Sequence, residues 1–454
     1  METNADKNIK IAEELARRAA GQGGRAYYVG GYVRDRLLNI ENKDIDIEIH
    51  GIEYERLTEI LDALGGHREM GSAFGISGIK GYDIDIAMPR KEKATGRGHK
   101  DFKIFVDPFI GAEKAALRRD FTMNALMQDV LTGEILDFFG GCEDIKKGRI
   151  RHVNDESFAE DPLRVLRGAQ FAARFNMSIA TETVELCSRM DLSTLSRERV
   201  YAELEKALLK AEKPSVFFEV LREMNQLSCW FPEIEALASV PQNPAFHPEG
   251  NVWCHTMSVL DYAARFLPEA KQKAPFMLSA LCHDIGKLIT TEVVNGEIHA
   301  YRHETLGIEL VEAFVRRLSN ENNLLKYVRN MTELHMRPNM LVYQHSSDKT
   351  FMRLFDEAVE PEDLILLVKA DVFGSSFQGD YTPVENILRQ KLSEYRELMK
   401  KPYVQGADLI KAGLVPGPKF RDALDYAHKL RLAGVEKSIA LRQTLGMANS
   451  AAPE

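Results

Sequence analysis

No stretch of the 454-residue chain approaches the ~18 consecutive apolar residues that a bilayer-spanning helix needs, so a soluble protein with no membrane partner is expected. Cysteine is scarce. The five present, Cys142, Cys187, Cys229, Cys254 and Cys282, have no CxxC spacing, which argues against a disulfide or zinc-ribbon framework and for reduced thiols. The opening residues, METNADKNIK, show no basic-then-apolar pattern, so secretion is not expected and the cytoplasm is. No internal repeat is present. Positive charge is also short: 59 Lys and Arg face 68 Asp and Glu, a net charge of −9. Taken whole, that balance argues against a polyanionic partner, because phosphate binding is built on local excess of Lys and Arg. Whole-chain charge, however, averages over domains.

What is present suits a soluble enzyme: 44% hydrophobic and 28% charged residues. At roughly 100–200 residues per domain, the length predicts two to four domains. Asn8 to Ala20 reads as an amphipathic helix. Alternation then sets in over Lys43–Ile49, with Asp44, Asp46 and Glu48 on one side and Ile45, Ile47 and Ile49 on the other. Gly81–Ala87 repeats the pattern, and Phe102–Val106 reads as a third strand. Between these two, PRKEKATGRGHKD reads as a mobile loop with six basic residues, Arg90, Lys91, Lys93, Arg97, Lys100 and Lys103. Strands first and helices after predict a compact α+β head. From Ser157 to Ile234 strand signals vanish, and Glu160–Phe175, Ala180–Met190, Arg197–Lys210 and Ser215–Met224 carry helical spacing. Phe231-Pro232 and PQNPAFHPEGN mark a boundary. A second helical block over Val252–Phe373 holds His255, His283, His299, His303, His335 and His345, half of the 12 histidines. The last segment is helical with a break at Pro416-Gly417-Pro418 and a frayed NSAAPE end. The expected fold class is α+β: a small head with a mixed sheet over 1–152, followed by an elongated all-α body divided at 153–240, 241–380 and 381–454.

Three groups in the head carry chemistry. Tyr28-Val29-Gly30-Gly31-Tyr32-Val33-Arg34-Asp35 is a strand leading through two glycines into a helix, where Gly30 and Gly31 admit a phosphate to backbone N–H groups and Arg34 adds a charged fork. A plain tight turn has the same signature. Asp44 and Asp46, at i and i+2 on one strand face, form a hard-oxygen site suited to Mg²⁺, although a solvated strand face does too. Asp83 and Asp85 have the same spacing, and local chemistry does not choose between the pairs: one of them can be a third carboxylate beside the first pair, or both can face solvent. Leu117-Arg118-Arg119-Asp120-Phe121-Thr122-Met123-Asn124-Ala125 reads as the opening of a helix whose guanidiniums, acid and amide suit triphosphate and ribose recognition.

GGYVRD, DID, RRDFTMNAL, DFFGG and EDPLRVLRGAQFAARF, in this order and spacing, closely resemble the bacterial class II tRNA nucleotidyltransferases, the CCA-adding relatives of poly(A) polymerases, over about residues 25–235. The resemblance implies a nucleotidyltransferase head and favours Asp44 and Asp46 as the catalytic Mg²⁺ pair over Asp83 and Asp85. It further implies that Gly30, Gly31, Arg34 and Arg119 contact the nucleotide, with Asp120 and Asn124 ordering that site. In EDPLR it implies that Asp161 and Arg164 form a protein template, an acceptor and a donor fork that pair with the edge of cytosine and then adenine, supported by Arg167. The partners so implied are tRNA, CTP and ATP. The basic loop at Pro89–Lys103 lies where the family has the flexible loop tied to switching from C to A addition, which favours full CCA addition over a CC-adding or A-adding enzyme or a poly(A) polymerase.

In the second block, His255, then Cys282-His283-Asp284-Ile285-Gly286-Lys287, then Asp371 supply two imidazoles and two carboxylates from three helices. His283 and Asp284 stand ~100° apart on a helix, so one ion can meet both only at a flank closed by distant residues. The set H…HD…D resembles the HD phosphohydrolase superfamily over about residues 247–375, with His303 and His335 as further ligands or phosphate contacts. That resemblance implies an HD site, binding a divalent metal that the ligand set does not identify, with accessory phosphatase or 2′,3′-cyclic phosphodiesterase activity. A degenerate, purely structural domain is the alternative. The alternative of another class for the whole chain is an HD phosphohydrolase with an RNA-binding head. Six basic residues, Lys419, Arg421, Lys429, Arg431, Lys437 and Arg442, mark the C-terminal segment as either a tRNA contact or a solvated face.

Overall fold

The computed structural model describes residues 3–42, 44–71, 76–94, 102–376 and 378–450, and the chain divides into two compact units, Met1–Ala207 with Val216–Trp230 and Leu208–Ser215 with Phe231–Glu454. In the first unit the strands are β1 Arg25–Val29, β2 Ile45–His50, β3 His67–Gly71, β4 Ile76–Ile79, β5 Ile84–Ala87, β6 Arg90–Ala94, β7 Phe102–Val106, β8 Met127–Asp129 and β9 Ile135–Leu136. Seven of them form one sheet in the order β3-β4-β5-β2-β1-β8-β9. Only β2 and β5 run parallel, in a register that sets Asp46 beside Asp85. The period-2 pattern explains the sheet's two faces. Ile45, Ile47, Ile49, Ile84 and Ile86 are buried, each contributing about 1.5–3 kcal/mol of apolar burial, and the Asn4–Gly21 helix packs on β1 and β2. Asp46, Glu48 and Asp85 lie on the opposite face, which becomes the site.

Several expectations are corrected. The loop after Pro89 is in part an antiparallel ribbon, since β6 pairs with β7; residues 95–101 lie outside the described residues, as do 451–454 of the expected frayed end. Gly81–Ala87 is a turn followed by β5, because Gly81 takes φ +86°. The RRDFTMNAL segment is not a helix: the Ala112–Ala116 helix ends before it, and only Thr122–Asn124 makes a short 3₁₀ turn. Buried partners for Asp120 and Asn124 override helical propensity there. The body is not wholly helical either. Ser178–Ile179 pairs with Arg149–Ile150, and a hairpin joins Thr291–Val294 to Glu297–Ala300 across the type of tight turn that Asn295-Gly296, both at positive φ, provides.

The second unit is built on the Val252–Phe266 and Pro361–Gly374 helices, which pack against each other and against Lys273–Cys282. Asn251 caps the first of these by accepting from the Cys254 amide. The Ile308–Leu318 and Asn322–Leu334 helices close the core, and Thr382–Lys400, Gly406–Lys411, Pro418–Leu432 and Lys437–Ser450 follow. In that last segment Arg431 donates to the carbonyls of Leu398, Met399 and Lys401, and Lys437 pairs with Asp408, so these two cations of the basic set serve the fold.

Candidate functional sites

In the head, β1 ends at Gly30, whose φ of +62° favours glycine and turns the chain into the Gly31–Leu37 helix. A Cβ at Gly30 would stand 3.1 Å from Arg119 Nη1 and 3.9 Å from Asp46 Oδ2, so bare backbone faces the functional groups. Asp44 is exposed just before β2, Asp46 is half-buried on it, and Asp85 is exposed on the neighbouring strand. Burial and the nearby charges of Asp85 and Asp44 raise the Asp46 carboxyl above its ordinary value, with Arg119 pulling the other way. Clustered carboxylates of this kind fit a divalent cation, which relieves their repulsion. Arg119 Nη2 also donates to Glu48 Oε2 at 3.3 Å, and His50 Nε2 lies 2.8 Å from Glu48 Oε1. Burial raises Glu48, but His50 and Arg119 outweigh it and hold the carboxyl below its usual range.

Behind this cluster runs a continuous polar chain. Asn42 donates to Asp35 Oδ2 (2.8 Å), Arg34 Nε to Asp35 Oδ1 (2.7 Å) and Arg34 Nη1 to Asn124 Oδ1 (2.6 Å). Asn124 Nδ2 donates to Asp120 Oδ1 (2.9 Å), and Arg167 Nε to Asp120 Oδ2 (2.8 Å). Asp120 is buried; that raises its pKa, yet Arg167, Asn124 and the Phe121 amide together hold it below its ordinary value. Arg34, expected at the nucleotide, already has protein partners. Its guanidinium is buried, lies over the rings of Phe175 and Phe171 at 4.7 and 5.2 Å, and spends its donors on Asp35 and Asn124. Through Asn124 this guanidinium is joined to Asp120.

The Leu163–Phe175 helix begins at Pro162, with Asp161 accepting from the Leu163 amide at 3.1 Å. Its expected template residues both have protein partners: Asp161 accepts from Arg199 Nη2 at 2.8 and 3.0 Å, and Arg164 donates to the carbonyls of Ser157 (2.7 Å) and Arg118 (2.8 Å). Arg199 was not visible as a site residue, since it lies 38 positions from Asp161.

The second unit gathers its ligand candidates more tightly. His255 stands on the Val252–Phe266 helix, His283 and Asp284 follow Lys273–Cys282, and Asp371 stands on Pro361–Gly374. His255 Nε2 lies 3.0 Å from Asp371 Oδ1, 3.5 Å from Asp284 Oδ2 and 3.3 Å from His283 Nε2. On the other side, His303 Nε2 lies 3.1 Å from Asp284 Oδ1 and 3.3 Å from His335 Nε2. Asp284 thus faces two ligand groups, His255/His283/Asp371 and His303/His335, and its Oδ2 also meets Lys287 Nζ at 2.7 Å. The Nδ1 atoms of His283, His303 and His335 lie 2.7–2.9 Å from the carbonyls of Ala280, Ala300 and Thr332. A carbonyl only accepts, so each Nδ1 carries the proton and each Nε2 presents a lone pair to the centre. Nitrogen lone pairs facing each other and carboxylates at 3.0–3.5 Å fit ligands shared by cations, since two donors each ~2.1 Å from one ion stand at about that separation. Without a cation a proton takes part of this role: against the cost of burial, Asp371 and Glu249 raise His255 to about 9, while burial and neighbouring histidines lower His335 to about 3.

Close backbone contact brings His303 into this centre. A Cβ on Gly286 would stand 2.0 Å from His303 O, and one on Gly307 would stand 2.2 Å from Gly286 Cα. Only two glycines back to back permit this approach, and the HDIGK segment contains one of them.

Known proteins group in the same way. Residues 26–151 match the "Poly A polymerase head domain", 176–237 the "Probable RNA and SrmB- binding site of polymerase A" and 252–373 the "HD domain". Families of both kinds generally use divalent metals. The "Multifunctional CCA protein" of Mannheimia succiniciproducens is 34% identical over 383 residues, 81% of this chain and 88% of that one. That of Pasteurella multocida is 37% identical over 319 residues, covering 68% and 74%. Among solved structures, the Bacillus stearothermophilus CCA-adding enzyme in complex with CTP has a TM-score of 0.68 at 21% identity over 98% of this chain and 99% of its own. The Thermotoga maritima CCA-adding enzyme complexed with tRNA gives 0.63 at 21% over 97% and 95%. Fold and sites together define a nucleotidyltransferase with an HD domain on its C-terminal side. The chain belongs to the multifunctional CCA protein family of CCA-adding enzymes.

Proposed function

We propose that this protein adds C, C and A to the 3′ end of tRNA from CTP and ATP without a nucleic-acid template, acting in the cytoplasm, and hydrolyses phosphoesters at its HD centre. The observation that carries the first activity is the Asp46–Asp85 register beneath Gly30 and Arg119, beside Asp120, which accepts from Asn124 and from Arg167 of the Leu163–Phe175 helix. Asp44 and Asp46 are the ligands for Mg²⁺, which when bound lowers the pKa of the tRNA 3′-hydroxyl and stabilises charge on the transferring phosphoryl group. Gly30 and Gly31 let the triphosphate approach the backbone, and Arg119 supplies a cation beside it. Asp120, Asn124 and Arg34 hold that loop in place. Asp161, as acceptor, and Arg164, as donor, read the base edge, with Arg167 fixing the helix to Asp120. The working division is a head at 1–152, a template-bearing neck at 153–240, the HD domain at 241–380 and a C-terminal segment at 381–454.

The test uses pure protein, Mg²⁺, CTP and ATP with tRNA truncated by one, two and three nucleotides, followed by sequencing of the product ends. Restoration of CCA and no further growth is expected. Arrest after CC, addition of A only, or an open-ended A tail overturns full CCA addition, and incorporation by Asp44→Ala equal to wild type overturns the site assignment.

At the HD centre His255, His283, Asp284 and Asp371 hold one divalent ion and Asp284, His303 and His335 face the position of a second. Ions bound there polarise a phosphoester and activate water. Lys287, buried and donating to Gln242 at 2.8 Å, keeps a positive charge against Asp284. Loss of phosphatase and cyclic phosphodiesterase activity in Asp284→Ala, with transfer retained, is expected; equal hydrolysis by mutant and wild type assigns the activity to a contaminant.

A further inference from the structure

Four imidazoles surround the HD centre, and one is held differently from the other three. His283, His303 and His335 each donate from Nδ1 to a backbone carbonyl three residues earlier, a neutral acceptor supplied by the local turn. His255 has no such carbonyl. Its Nδ1 lies 2.9 Å from Glu249 Oε1, and His247 Nδ1 lies 2.9 Å from the same oxygen. An ionised carboxylate only accepts, so both rings carry their proton on Nδ1. The rings meet edge to face, with centroids 4.8 Å apart at 75°.

Glu249 is built into place. It precedes Gly250, whose φ is +118°, and the Gly250 amide donates back to the His247 carbonyl at 3.2 Å. Its side chain is 9% exposed, and Oε2 is buried with no hydrogen-bond partner among the described residues. A buried carboxylate with one oxygen shared by two imidazoles and the other unpaired is costly unless it serves the rings it touches. We propose that Glu249 is a positioning residue of the HD centre, fixing the His255 ring with Nε2 toward the metal and, by its charge, making His255 a stronger ligand than the three carbonyl-held histidines. The His255/His283/Asp371 half of the centre is then the tighter of the two ion positions. A carboxylate on the far nitrogen increases the electron density that an imidazole offers a metal, and loss of such a partner typically costs about 10–100-fold in affinity.

This inference rests on the reading of the HD centre as a metal site, and the experiment separates the two. The full chain, stripped of metal, is titrated with Mn²⁺ by calorimetry and electron paramagnetic resonance, as wild type, Glu249→Gln, Glu249→Ala and His335→Ala. Wild type is expected to take up two ions at the HD centre with distinct affinities, besides any held by Asp44 and Asp46, which the same titration of an Asp44→Ala/Asp46→Ala chain subtracts. Glu249→Gln, which keeps an acceptor oxygen but no charge, weakens the tighter ion by about 10-fold, and Glu249→Ala weakens it by up to about 100-fold. His335→Ala weakens the other ion instead. Nucleotidyl transfer, carried by the other unit, stays at wild-type level and reports that each variant is folded. Glu249→Gln equal to wild type, or both ions weakened alike, overturns the role of Glu249. No uptake beyond that of the head, read with the Asp44→Ala/Asp46→Ala chain, overturns the metal reading itself.

Discussion

The transferase site and the HD centre both assemble carboxylates, but they hold them by opposite means. In the head, Asp44 and Asp85 are exposed and Asp46 is half-buried, and order comes from side chains donating to side chains along Arg34, Asn124, Asp120 and Arg167. In the HD centre, His255, His283, Asp284 and His335 are almost fully buried, and backbone carbonyls hold three of the rings. In the first arrangement acceptors are held by other side chains, Asp120 by Arg167 and Asp161 by Arg199. The second is a preformed cage whose geometry is set before any ligand arrives. The kind of partner, side chain in one and backbone carbonyl in the other, separates the two sites more than the identity of the ligand atoms.

The sharpest way to break this comparison is to remove one carboxylate from each site. Asp46→Ala should lower CCA addition by about 10³-fold or more, the several kcal/mol that metal stabilisation supplies, while leaving hydrolysis intact. Asp284→Ala should do the reverse, and parallel assays of both activities check the independence. Next, Gly286→Ala tests the preformed cage. Its Cβ would stand 2.0 Å from the His303 carbonyl, so overpacking of about 1–3 kcal/mol and loss of one of two bound ions are expected in a thermal melt and a metal count. Asp120→Ala tests the side-chain chain in the head and should cost about 2–3 kcal/mol, because Arg167 and Asn124 lose their shared acceptor. Since the folded pKa of Asp120 is lowered, its contribution is present above the unfolded value of 3.8 and is lost as pH falls through the folded one. Acid unfolding followed by circular dichroism should therefore show a shallower pH dependence in Asp120→Asn. The smallest effect is expected for Arg199→Ala, which frees Asp161: a few-fold change in the ratio of C to A incorporation, read by end sequencing.

Much of this was legible in the chain. The alternation around Asp46 and the isoleucines reports a strand with one buried face, and Ile45-Asp46-Ile47 is matched by Ile84-Asp85-Ile86 on the strand paired with it. A third carboxylate beside the first pair was one of the readings open for Asp83 and Asp85; that it is Asp85 was not legible, since a parallel register between distant strands leaves no local mark. RRDFTMNAL reads as a helix from its residues, yet long-range hydrogen bonds to Arg34 and Arg167 hold it as turns. The PQNPAFHPEGN segment reads as a boundary, and its prolines and glycine do break the helices; Glu249 within it carries no signal of its own, because its role exists only beside His255.

The sequence by itself determined most of the elements, the family and the ligand types, because periodicity and residue chemistry are local properties written in order along the chain. Tertiary structure alone decided which groups are partners: Asp85 with Asp46, Arg199 with Asp161, Gly286 with Gly307, Glu249 with His255. The physical reason is range. A hydrogen bond or a shared ion acts over a few ångströms in space, and only packing brings residues separated by tens of positions to that distance.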